Sequence, residues 1–393
     1  MSRPSVAVVG GSLGGLTTAL LLHDAGCDVR VHERSPSALD ARGAGIAVLE
    51  QTLRYPVQRL GVAPDEISTH TGWVRFLEPD GAVAYAEPRD YRFSAWNTIY
   101  RVLHDAFPTE RYRLGHELTG FTSGTDGVAL RFADGEQGRA DLLVCADGIG
   151  SLGRQALFPQ VAPRYAGYVA WRGTLDESLL GSAAYDALHD AITYQVLPHS
   201  HILVYPIPGL DGSVEPGRRL MNLVWYRNVA EPELAEFLTD RHGVRREVSL
   251  PPGHVREEAI HEMREHAAAH LAPPIAEVVT SAPEPFVQAV FDIEVPRMAA
   301  GRTCLIGDAA FAVRPHAAAG TAKAAEDGWV LAEELERADG DLDVALPRWE
   351  ERQLALGAGL LARTREIGES SQLRGDFRAG DPRLVFGLYG PGR

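Results

Sequence analysis

Glycines and acidic residues near the amino terminus are spaced in a pattern that binds a nucleotide diphosphate. The turn Gly10-Gly11-Ser12-Leu13-Gly14-Gly15 precedes a helical pattern, and Glu33 follows roughly 20 residues later. Glycines allow a tight turn, and the first N–H groups of a helix attract a pyrophosphate. An acid at this distance accepts hydrogen bonds from a ribose. The predicted contacts are Gly10, Ser12, Leu13, Gly14, Gly15, Glu33 and Arg34.

Ser12 departs from the usual pattern, because it stands where a second glycine normally lets the backbone approach the phosphates. Its hydroxymethyl group must therefore point aside or contact phosphate itself. Glu33 has an alternative role as a solvated acid at a strand end. This unit alone leaves NAD and FAD both open, since the two dinucleotides share the same ADP half.

Two later segments also place a carboxylate and a glycine after an apolar run. Residues 142–146 lead into Asp147-Gly148, which puts a carboxylate at the sheet edge where α/β proteins bind ligands, although Asp-Gly is also an ordinary turn. Residues 302–306 lead into Gly307-Asp308, a loop, and a helix predicted over 321–338. A glycine-containing loop that opens a helix stabilises negative charge, as a reduced flavin requires and a nicotinamide enzyme does not.

The elements that must position these segments follow from the apolar periodicity. Residues 5–9 and 28–32 read as strands on either side of a helix that ends near Ala25, and 128–133 and 139–146 read as further strands. Between 167 and 285 short alternating stretches predict an antiparallel sheet that walls a cavity. The predicted fold is α/β, a Rossmann-like FAD-binding domain with an inserted mixed α+β substrate domain that carries a mainly antiparallel sheet.

The domain division follows from the same pattern. We assign residues 1–70, 99–165 and 286–393 to the FAD-binding domain, and 71–98 and 166–285 to the substrate domain. Apolar and aromatic walls with few polar groups suit a flat, phenol-like ligand, although each residue taken singly is more often core than contact. The predicted substrate contacts are Tyr194, Tyr205, Asn222 and Tyr226, with Tyr205 and Asn222 as first choices.

In this order, the glycine turn, Asp147-Gly148 and Gly307-Asp308 resemble the three signatures of single-component flavoprotein aromatic hydroxylases of the p-hydroxybenzoate hydroxylase type. The resemblance covers nearly the whole chain, and residues 165–173, 201–209, 225–231 and 314–320 are most similar to hydroxylases of 2,6-dihydroxypyridine. It implies an FAD enzyme that uses NADH or NADPH and O2 to hydroxylate a small hydroxylated aromatic or pyridine ring through a flavin C4a-hydroperoxide.

The resemblance also implies roles for single residues. Asp308 would bind the ribityl chain, and Gly320 with the N–H groups of Thr321 and Ala322 would face the pyrimidine edge of the flavin. Asp147 and Gly148 would lie at the interface of FAD and nicotinamide, and Arg101 would contact the FAD phosphates unless it is an ordinary helix-surface arginine.

The loop 315–319 departs from the family, because it reads Pro-His-Ala-Ala-Ala where relatives have more glycine. This places His316 near the reactive edge of the flavin, where it could touch substrate; a solvated loop histidine is the alternative. The predicted catalytic residues are His316, Pro315 and Tyr205. His316 also counts as a substrate contact, and Pro315 as an FAD contact.

Composition narrows the partners. The net charge of −15 disfavours nucleic acid, and no run of about 20 apolar residues could span a bilayer, so a cytoplasmic location is predicted. The three cysteines predict no disulfide framework, and His261, His266 and His270 do not share one helix face, so no metal is predicted. Residues 346–367 could form a homodimer surface or cover the FAD-binding domain. Another FAD oxidoreductase, such as an oxidase or halogenase, and a non-catalytic flavin-binding protein are the alternatives.

Overall fold

The computed structural model of the protein describes residues 3–39 and 44–393. Its strands are β1 (Ser5–Val9), β2 (Asp28–His32), β3 (Gly45–Ala47), β4 (Thr69–Leu77), β5 (Val83–Ala95), β6 (Tyr112–Arg113), β7 (Leu118–Gly124), β8 (Gly127–Phe132), β9 (Gln137–Ala140), β10 (Leu142–Cys145), β11 (Arg164–Asp176), β12 (Ala191–Leu197), β13 (Ser200–Ile207), β14 (Leu220–Asn228), β15 (Ser249–Leu250), β16 (Phe286–Asp292), β17 (Ala299–Ala300) and β18 (Thr303–Leu305).

The helices are α1 (Leu13–Asp24), α2 (Glu50–Leu60), α3 (Pro64–Ile67), α4 (Trp96–Ala106), α5 (Leu152–Leu157), α6 (Ser182–Leu188), α7 (Glu231–Phe237), α8 (Glu257–His270), α9 (Pro273–Ser281), α10 (Gly320–Arg337) and α11 (Leu342–Gly368). Short 3-10 turns occupy Gly307–Ala309 and Pro315–Ala317, and a π-helical turn occupies Glu369–Arg374. A search of the described residues for a helix long and apolar enough to cross a membrane found none.

A six-stranded sheet carries the amino-terminal motif. Its order is β17-β18-β10-β1-β2-β6, and every neighbouring pair is parallel except β17 with β18. The buried side chains of β1 and β10 lie in one core with α1, α10 and α11. The predicted strands at residues 5–9 and 28–32 are confirmed with the same bounds as β1 and β2. The sheet therefore brings the ends of β1, β10 and β18 to one edge.

The single strand predicted over 139–146 is wrong, because the chain changes sheets within it. β9 pairs with β8 in a separate three-stranded antiparallel sheet, whereas β10 pairs with β1 and β18. Asp141 lies at the switch, and its carboxylate accepts hydrogen bonds from the N–H and hydroxyl of Ser5, both at 2.8 Å. These contacts end the first strand and start the second.

Helices α1 and α10 approach closely because glycine lies at the crossing. A Cβ added to Gly328 would lie 2.4 Å from Thr18 Oγ1, and one added to Gly14 would lie 2.8 Å from the Cβ of Ala324. α11 packs Trp349 and Leu361 into the same core. Of the two predicted roles for residues 346–367, the structure shows that this helix covers the six-stranded sheet domain.

A nine-stranded sheet forms the second layer. Its order is β15-β16-β11-β14-β13-β12-β4-β5-β3, and only β12 with β4 is a parallel pair. α8 and α9 pack on one face, while the other face carries aromatic residues together with the carboxy-terminal segment that contains Phe377 and Phe386. The predicted fold class, an α/β flavin-binding fold with a mainly antiparallel second sheet, is confirmed.

The proposed division into two domains differs from the sheet pairing at two strands. β3 and β16 lie in ranges assigned to the FAD-binding domain, yet β3 pairs with β5 and β16 pairs with β11 in the nine-stranded sheet. Both strands connect the layers, so the chain crosses between them at these points. The division into an FAD-binding domain and a substrate domain stays a proposal.

Candidate active site

A cavity of about 410 Å³ lies between the two layers. Part of its wall comes from the glycine turn, the Gly307-Asp308 turn and the start of α10, and another part comes from the aromatic face of the nine-stranded sheet. A second cavity continues past the glycine turn toward the end of β2, and Ser12 and Gly148 line both. Most of the predicted cofactor residues are therefore distributed along one continuous surface.

The glycine turn is sterically fixed. Gly10 adopts φ +100°, and a Cβ on it would lie 2.3 Å from the carbonyl oxygen of Ala146. A Cβ on Gly15 would lie 1.9 Å from the carbonyl oxygen of Gly10. Larger side chains would thus separate β1, β10 and α1. The turn keeps backbone N–H groups at the start of α1 close to the cavity.

Ser12 is the N-cap residue of α1, yet its hydroxyl makes no capping hydrogen bond. The residue is half-buried and lines both cavities, as Leu13, Gly14 and Gly15 line the first. Because the hydroxyl is not engaged by the helix, it is free to bind a phosphate oxygen. The departure from glycine is compatible with a pyrophosphate at this position.

Glu33 is buried at the end of β2 and lines the second cavity with the exposed Arg34. Its Oε2 accepts a hydrogen bond from Gly11 N and its Oε1 accepts one from Ser35 N, both at 2.8 Å. Each carboxylate oxygen can accept a further hydrogen bond, so Glu33 can also bind a ribose hydroxyl. The carboxylate also holds the glycine turn, a role that the sequence did not predict.

Asp147 follows β10 at the same sheet edge and lines the second cavity. Its Oδ2 accepts hydrogen bonds from Leu152 N at 2.8 Å and Gly153 N at 3.4 Å, whereas its buried Oδ1 has no partner among the described residues. Burial raises the pKa of this carboxyl. Gly148, with φ +73°, completes the turn. The unpartnered oxygen has the capacity to accept a hydrogen bond from a ligand hydroxyl or a water.

Gly307 and Asp308 lie at the end of β18 and line the first cavity. Gly307 adopts φ +56°, and its N–H donates to Asp327 Oδ2 at 2.8 Å. The Asp308 side chain is accessible within the cavity, although the surrounding protein still raises its pKa. This carboxyl forms part of the cavity wall between the glycine turn and α10.

The amino terminus of α10 forms the next part of the wall. Gly320 and Thr321 line the first cavity, whereas Ala322 is fully buried and does not. Arg101 is half-buried on α4 and lines neither cavity. The structure thus brings together all predicted cofactor residues except Ala322 and Arg101.

This arrangement suits FAD. The glycines keep the turn tight beside the cavity, because a Cβ on Gly10 or Gly15 would collide with backbone, Asp147 has an unpartnered oxygen, and Glu33 and Asp308 supply carboxylates on the two sides of the turn. The helix termini of α1 and α10 provide N–H groups for phosphate and for a flat ring with partial negative charge. The residues present therefore fit the whole dinucleotide.

Aromatic side chains line the opposite part of the first cavity. Tyr194, Tyr205 and Tyr226 are all buried and line it, as predicted for the sheet face. Tyr205 stacks on Phe93 with ring centroids 4.2 Å apart. Its hydroxyl donates to the carbonyl oxygen of Gly45 at 3.0 Å, and burial raises its pKa to about 12. Tyr205 is therefore neutral, and its hydroxyl group anchors the backbone at Gly45.

Asn222 lies beside Tyr205 in the sheet but does not line the cavity. Its Oδ1 accepts a hydrogen bond from Gly45 N at 2.8 Å, and a Cβ on Gly45 would lie 2.6 Å from Asn222 Cγ. β3 therefore lies over Asn222. The structure places this predicted substrate contact behind the wall, where it supports Gly45.

His316 lies in the 3-10 turn that starts at Pro315, and both residues line the cavity. The imidazole is buried, so it is not a solvated loop histidine. Its Nε2 is 2.7 Å from the hydroxyl of Tyr168, and its Nδ1 has no partner among the described residues. Burial, with the charges of neighbouring groups, lowers its pKa well below the ordinary value. A neutral imidazole with one free nitrogen can exchange a proton with a ring hydroxyl.

His201 is a cavity residue that sequence reasoning missed. It lines the cavity on β13, and its Nδ1 is 2.5 Å from Ser371 Oγ in the π-helical turn. Burial lowers its pKa to about 3, so this imidazole is neutral. Alternation along a strand could have found it, because His201, Leu203 and Tyr205 point to one face.

Arg172 also lines the cavity and was not predicted. Its guanidinium donates to the carbonyl oxygen of Gly45 at 2.8 Å and to Gln288 Oε1 at 3.2 Å. Both contacts come from strands distant in sequence, so no local signal identifies this arginine. It holds the junction of β3 with the sheet.

One group of metal-ligand types occurs among the described residues, formed by His116, Asp134 and Glu136. Glu136 accepts two hydrogen bonds from Arg113, at 2.6 and 2.7 Å, so a side-chain cation already neutralises it. The prediction that the protein binds no metal stays a prediction. The cysteines Cys27, Cys145 and Cys304 are buried and free.

The fold and the two-part cavity define an FAD-binding oxidoreductase. A family model described as FAD binding domain-like matches residues 165–292. The 2,6-dihydroxypyridine 3-monooxygenase of Paenarthrobacter nicotinovorans is 38% identical over 385 residues, which cover 98% of this chain and 95% of the relative. The 3-amino-4-hydroxybenzoate 2-monooxygenase of Streptomyces cremeus is 30% identical over 384 residues, which cover 94% and 88%.

The structure of 2,6-dihydroxypyridine-3-hydroxylase from Arthrobacter nicotinovorans matches with a TM-score of 0.93 and 37% identity, over 99% of this chain and 97% of that one. The chain belongs to the flavoprotein aromatic hydroxylases of the p-hydroxybenzoate hydroxylase type, and it is an FAD-dependent monooxygenase. These similarities confirm the predicted enzyme class and FAD, and they do not support the oxidase, halogenase or non-catalytic alternatives.

Proposed function

We propose that this monooxygenase hydroxylates a small hydroxypyridine, with NADH or NADPH as the reductant and O2 as the oxygen source. The observation that carries the proposal is the free Nδ1 of buried His316 in an aromatic cavity that adjoins the FAD surface. FAD, when bound, accepts a hydride from the nicotinamide and delivers an oxygen atom from O2. The protein has to bind the ring, manage its hydroxyl proton and exclude water.

The proposed FAD contacts follow the continuous cavity wall. The amino terminus of α1 binds the pyrophosphate, Glu33 and Arg34 bind the adenosine side, and Asp308 binds the ribityl chain. Gly320 and Thr321 offer N–H groups to the pyrimidine edge, and Asp147 with Gly148 forms the nicotinamide side. The backbone N–H of Ala322 is proposed to reach the flavin although its side chain is buried elsewhere. Arg101 reaches the phosphates only if its side chain reorients.

His316 is the proposed hydrogen-bond acceptor that polarises a ring hydroxyl through Nδ1. Tyr168 holds Nε2 at 2.7 Å and so fixes the ring orientation. Since burial disfavours imidazolium, the proton is shared with the substrate oxygen rather than removed to solvent. A partly deprotonated hydroxyl donates electron density to the ring carbon that is attacked. Pro315 precedes His316 and fixes the start of its turn.

The cavity lining combines aromatic side chains with two neutral imidazoles and one guanidinium. His201 and His316 are held neutral, and Arg172 donates to the neutral oxygens of Gly45 and Gln288. Tyr194 and Tyr226 complete the aromatic walls. A relative that is 38% identical is named for 2,6-dihydroxypyridine, whereas the one that is 30% identical is named for a hydroxybenzoate. The greater similarity to the dihydroxypyridine enzyme therefore supports the pyridine substrate.

The test uses the FAD-loaded enzyme with three ring compounds: 2,6-dihydroxypyridine, resorcinol as its nitrogen-free analogue, and 3-amino-4-hydroxybenzoate. We expect 2,6-dihydroxypyridine to stimulate NADH or NADPH oxidation and to gain one oxygen by mass spectrometry. If only 3-amino-4-hydroxybenzoate stimulated NADH or NADPH oxidation, the proposed hydroxypyridine substrate would be wrong. Comparing the two nicotinamides in the same assay identifies the reductant.

A homodimer and a cytoplasmic location are also proposed. Three free, buried cysteines agree with a reducing compartment. Sedimentation velocity of the holoenzyme tests the dimer, with a monomer mass as the contrary result. Cell fractionation tests the location.

A further inference from the structure

Lys323 is the only lysine among the 38 lysine and arginine residues of the chain. All other basic side chains, including those at the surface, are arginine. Lys323 lies in the first turns of α10 and is 1% exposed. The lysine therefore does not serve solubility, and its position behind the cavity wall requires another explanation.

Lys323 belongs to a buried ion pair that holds the Gly307-Asp308 turn. Its Nζ is 2.7 Å from Asp327 Oδ2, one helical turn further along α10. The same Oδ2 accepts the hydrogen bond from Gly307 N at 2.8 Å. Nζ also lies 5.2 Å from the ring centroid of Phe311. The Asp327 carboxylate thus connects the ammonium group of Lys323 to the turn that lines the cavity.

Lys323 supplies the positive charge that opposes the carboxylates of Asp308 and Asp327. Asp327 is fully buried, and Asp308 lies at the cavity wall next to Gly307. Burial raises the pKa of both carboxyls, and the positive charge of Lys323 opposes that rise. Two carboxyls therefore share one cation. Removing the cation would leave net negative charge behind the wall.

We propose that Lys323 is a positioning residue that, through the Lys323–Asp327 pair, sets the charge next to the flavin ring and makes reduction of bound FAD more favourable. This inference rests on the proposed placement of FAD along Gly307, Asp308 and Gly320. Reduced flavin carries added negative charge, which a buried cation stabilises more than it would in water. A compact ammonium group fits a narrow site where the larger guanidinium fork would need more room.

The experiment compares the midpoint potential of bound FAD in the wild type, K323M, D327N and the double variant K323M/D327N at pH 8. K323M leaves an extra negative charge, so we expect reduced FAD to bind about tenfold more weakly relative to oxidised FAD, a fall of about 30 mV for two electrons. D327N leaves an extra positive charge, so its potential should rise. The double variant restores the net charge of the wild type, so its potential should return close to the wild-type value.

A purely packing role predicts a different order. The double variant would then shift the potential at least as far as K323M, and that result would overturn the proposal. Unchanged potentials in K323M and D327N, with normal FAD affinity, would overturn it as well. If K323M does not fold, D327N and the double variant still decide, because the proposal requires D327N above the double variant.

The binding of FAD itself is measured separately, by fluorescence quenching as FAD is added to each apoprotein. If the wild-type apoprotein did not bind FAD, that result would contradict the proposed FAD site. Normal affinity with the wrong order of potentials would contradict only the role of Lys323.

Discussion

The hydroxyl of Tyr168 and Nε2 of His316 lie 2.7 Å apart in the protein interior. Tyr168 is on β11 of the nine-stranded sheet, whereas His316 is on the turn that precedes α10. The contact therefore joins the two layers and orients the imidazole. It leaves Nδ1 as the ring nitrogen without a partner among the described residues.

Replacing His316 by Asn should lower kcat by about 10² to 10³-fold, because general-base catalysis by a positioned side chain contributes effects of this size. FAD content and the melting temperature should change little. The measurement is substrate-stimulated NAD(P)H oxidation with product analysis. His261, whose side chain is 75% exposed, supplies the matched control H261N. Normal turnover in H316N would show that His316 does not handle the substrate proton.

Replacing Tyr168 by Phe should have a smaller effect, about tenfold on kcat, since the imidazole remains but loses the hydrogen bond that orients it. KM should change less than kcat. A Tyr168→Phe effect as large as that of H316N, without loss of FAD, would instead place the tyrosine hydroxyl on the substrate. Steady-state kinetics of both variants separate the two roles.

We expect opposite results for two Gly→Ala changes, one at Gly15 in the glycine turn and one at Gly359 in α11. In G15A the new Cβ would lie 1.9 Å from the Gly10 carbonyl oxygen, so we expect a loss of about 2 kcal/mol of unfolding free energy and of FAD during purification. Gly359 lies exposed within α11 with open space around it, so G359A should stabilise by about 1 kcal/mol. Thermal unfolding and the flavin absorbance of the purified proteins measure both effects. Full retention of FAD by G15A would contradict the geometry of the turn.

Asn222 and Tyr205 hold the N–H and the carbonyl oxygen of the same residue, Gly45, but only the carbonyl oxygen has a second donor. N222A leaves the buried N–H of Gly45 unpaired, which should cost about 1–3 kcal/mol of unfolding free energy. Y205F should cost less, because the Gly45 carbonyl oxygen still accepts from Arg172. Urea unfolding of both variants measures the difference. A large rise in KM for N222A with unchanged stability would instead make Asn222 a substrate contact.

His201 should make the protein less stable in mild acid. Its pKa is about 3 in the folded protein against 6.5 ordinarily, so the unfolded chain takes up a proton below pH 6.5 and the folded protein does not. The stabilisation is fully present above pH 6.5 and is lost as the pH falls from there toward 3. The slope is about 1.4 kcal/mol per pH unit, or about 2 kcal/mol between pH 6.5 and 5.

The buried carboxyls with raised pKa values act in the opposite direction, so the difference between variants is the useful quantity. H201Q should lose about 2 kcal/mol less than the wild type between pH 6.5 and 5, measured by urea unfolding. H261Q, at an exposed position, should follow the wild type. Parallel pH profiles for H201Q and the wild type would show that His201 titrates normally.

The sequence by itself determined the features that depend on near neighbours. β1, the glycine turn, α1 and β2 were predicted because strand alternation, glycine and helical periodicity act within a few residues. The three distant motifs, taken in order, also determined the family and FAD. His316 was selected from its place in the loop before α10, and its position in the cavity agrees with that choice.

Only the tertiary structure decided which side chains of the second sheet line the cavity. Asn222 was chosen and His201 was overlooked, although the two lie on neighbouring strands on the same side of the sheet. β3, from a segment almost 180 residues earlier, lies over Asn222 and takes up its hydrogen bond. Strand periodicity gives the face on which a side chain lies, but which element covers that face depends on contacts between segments far apart in the chain.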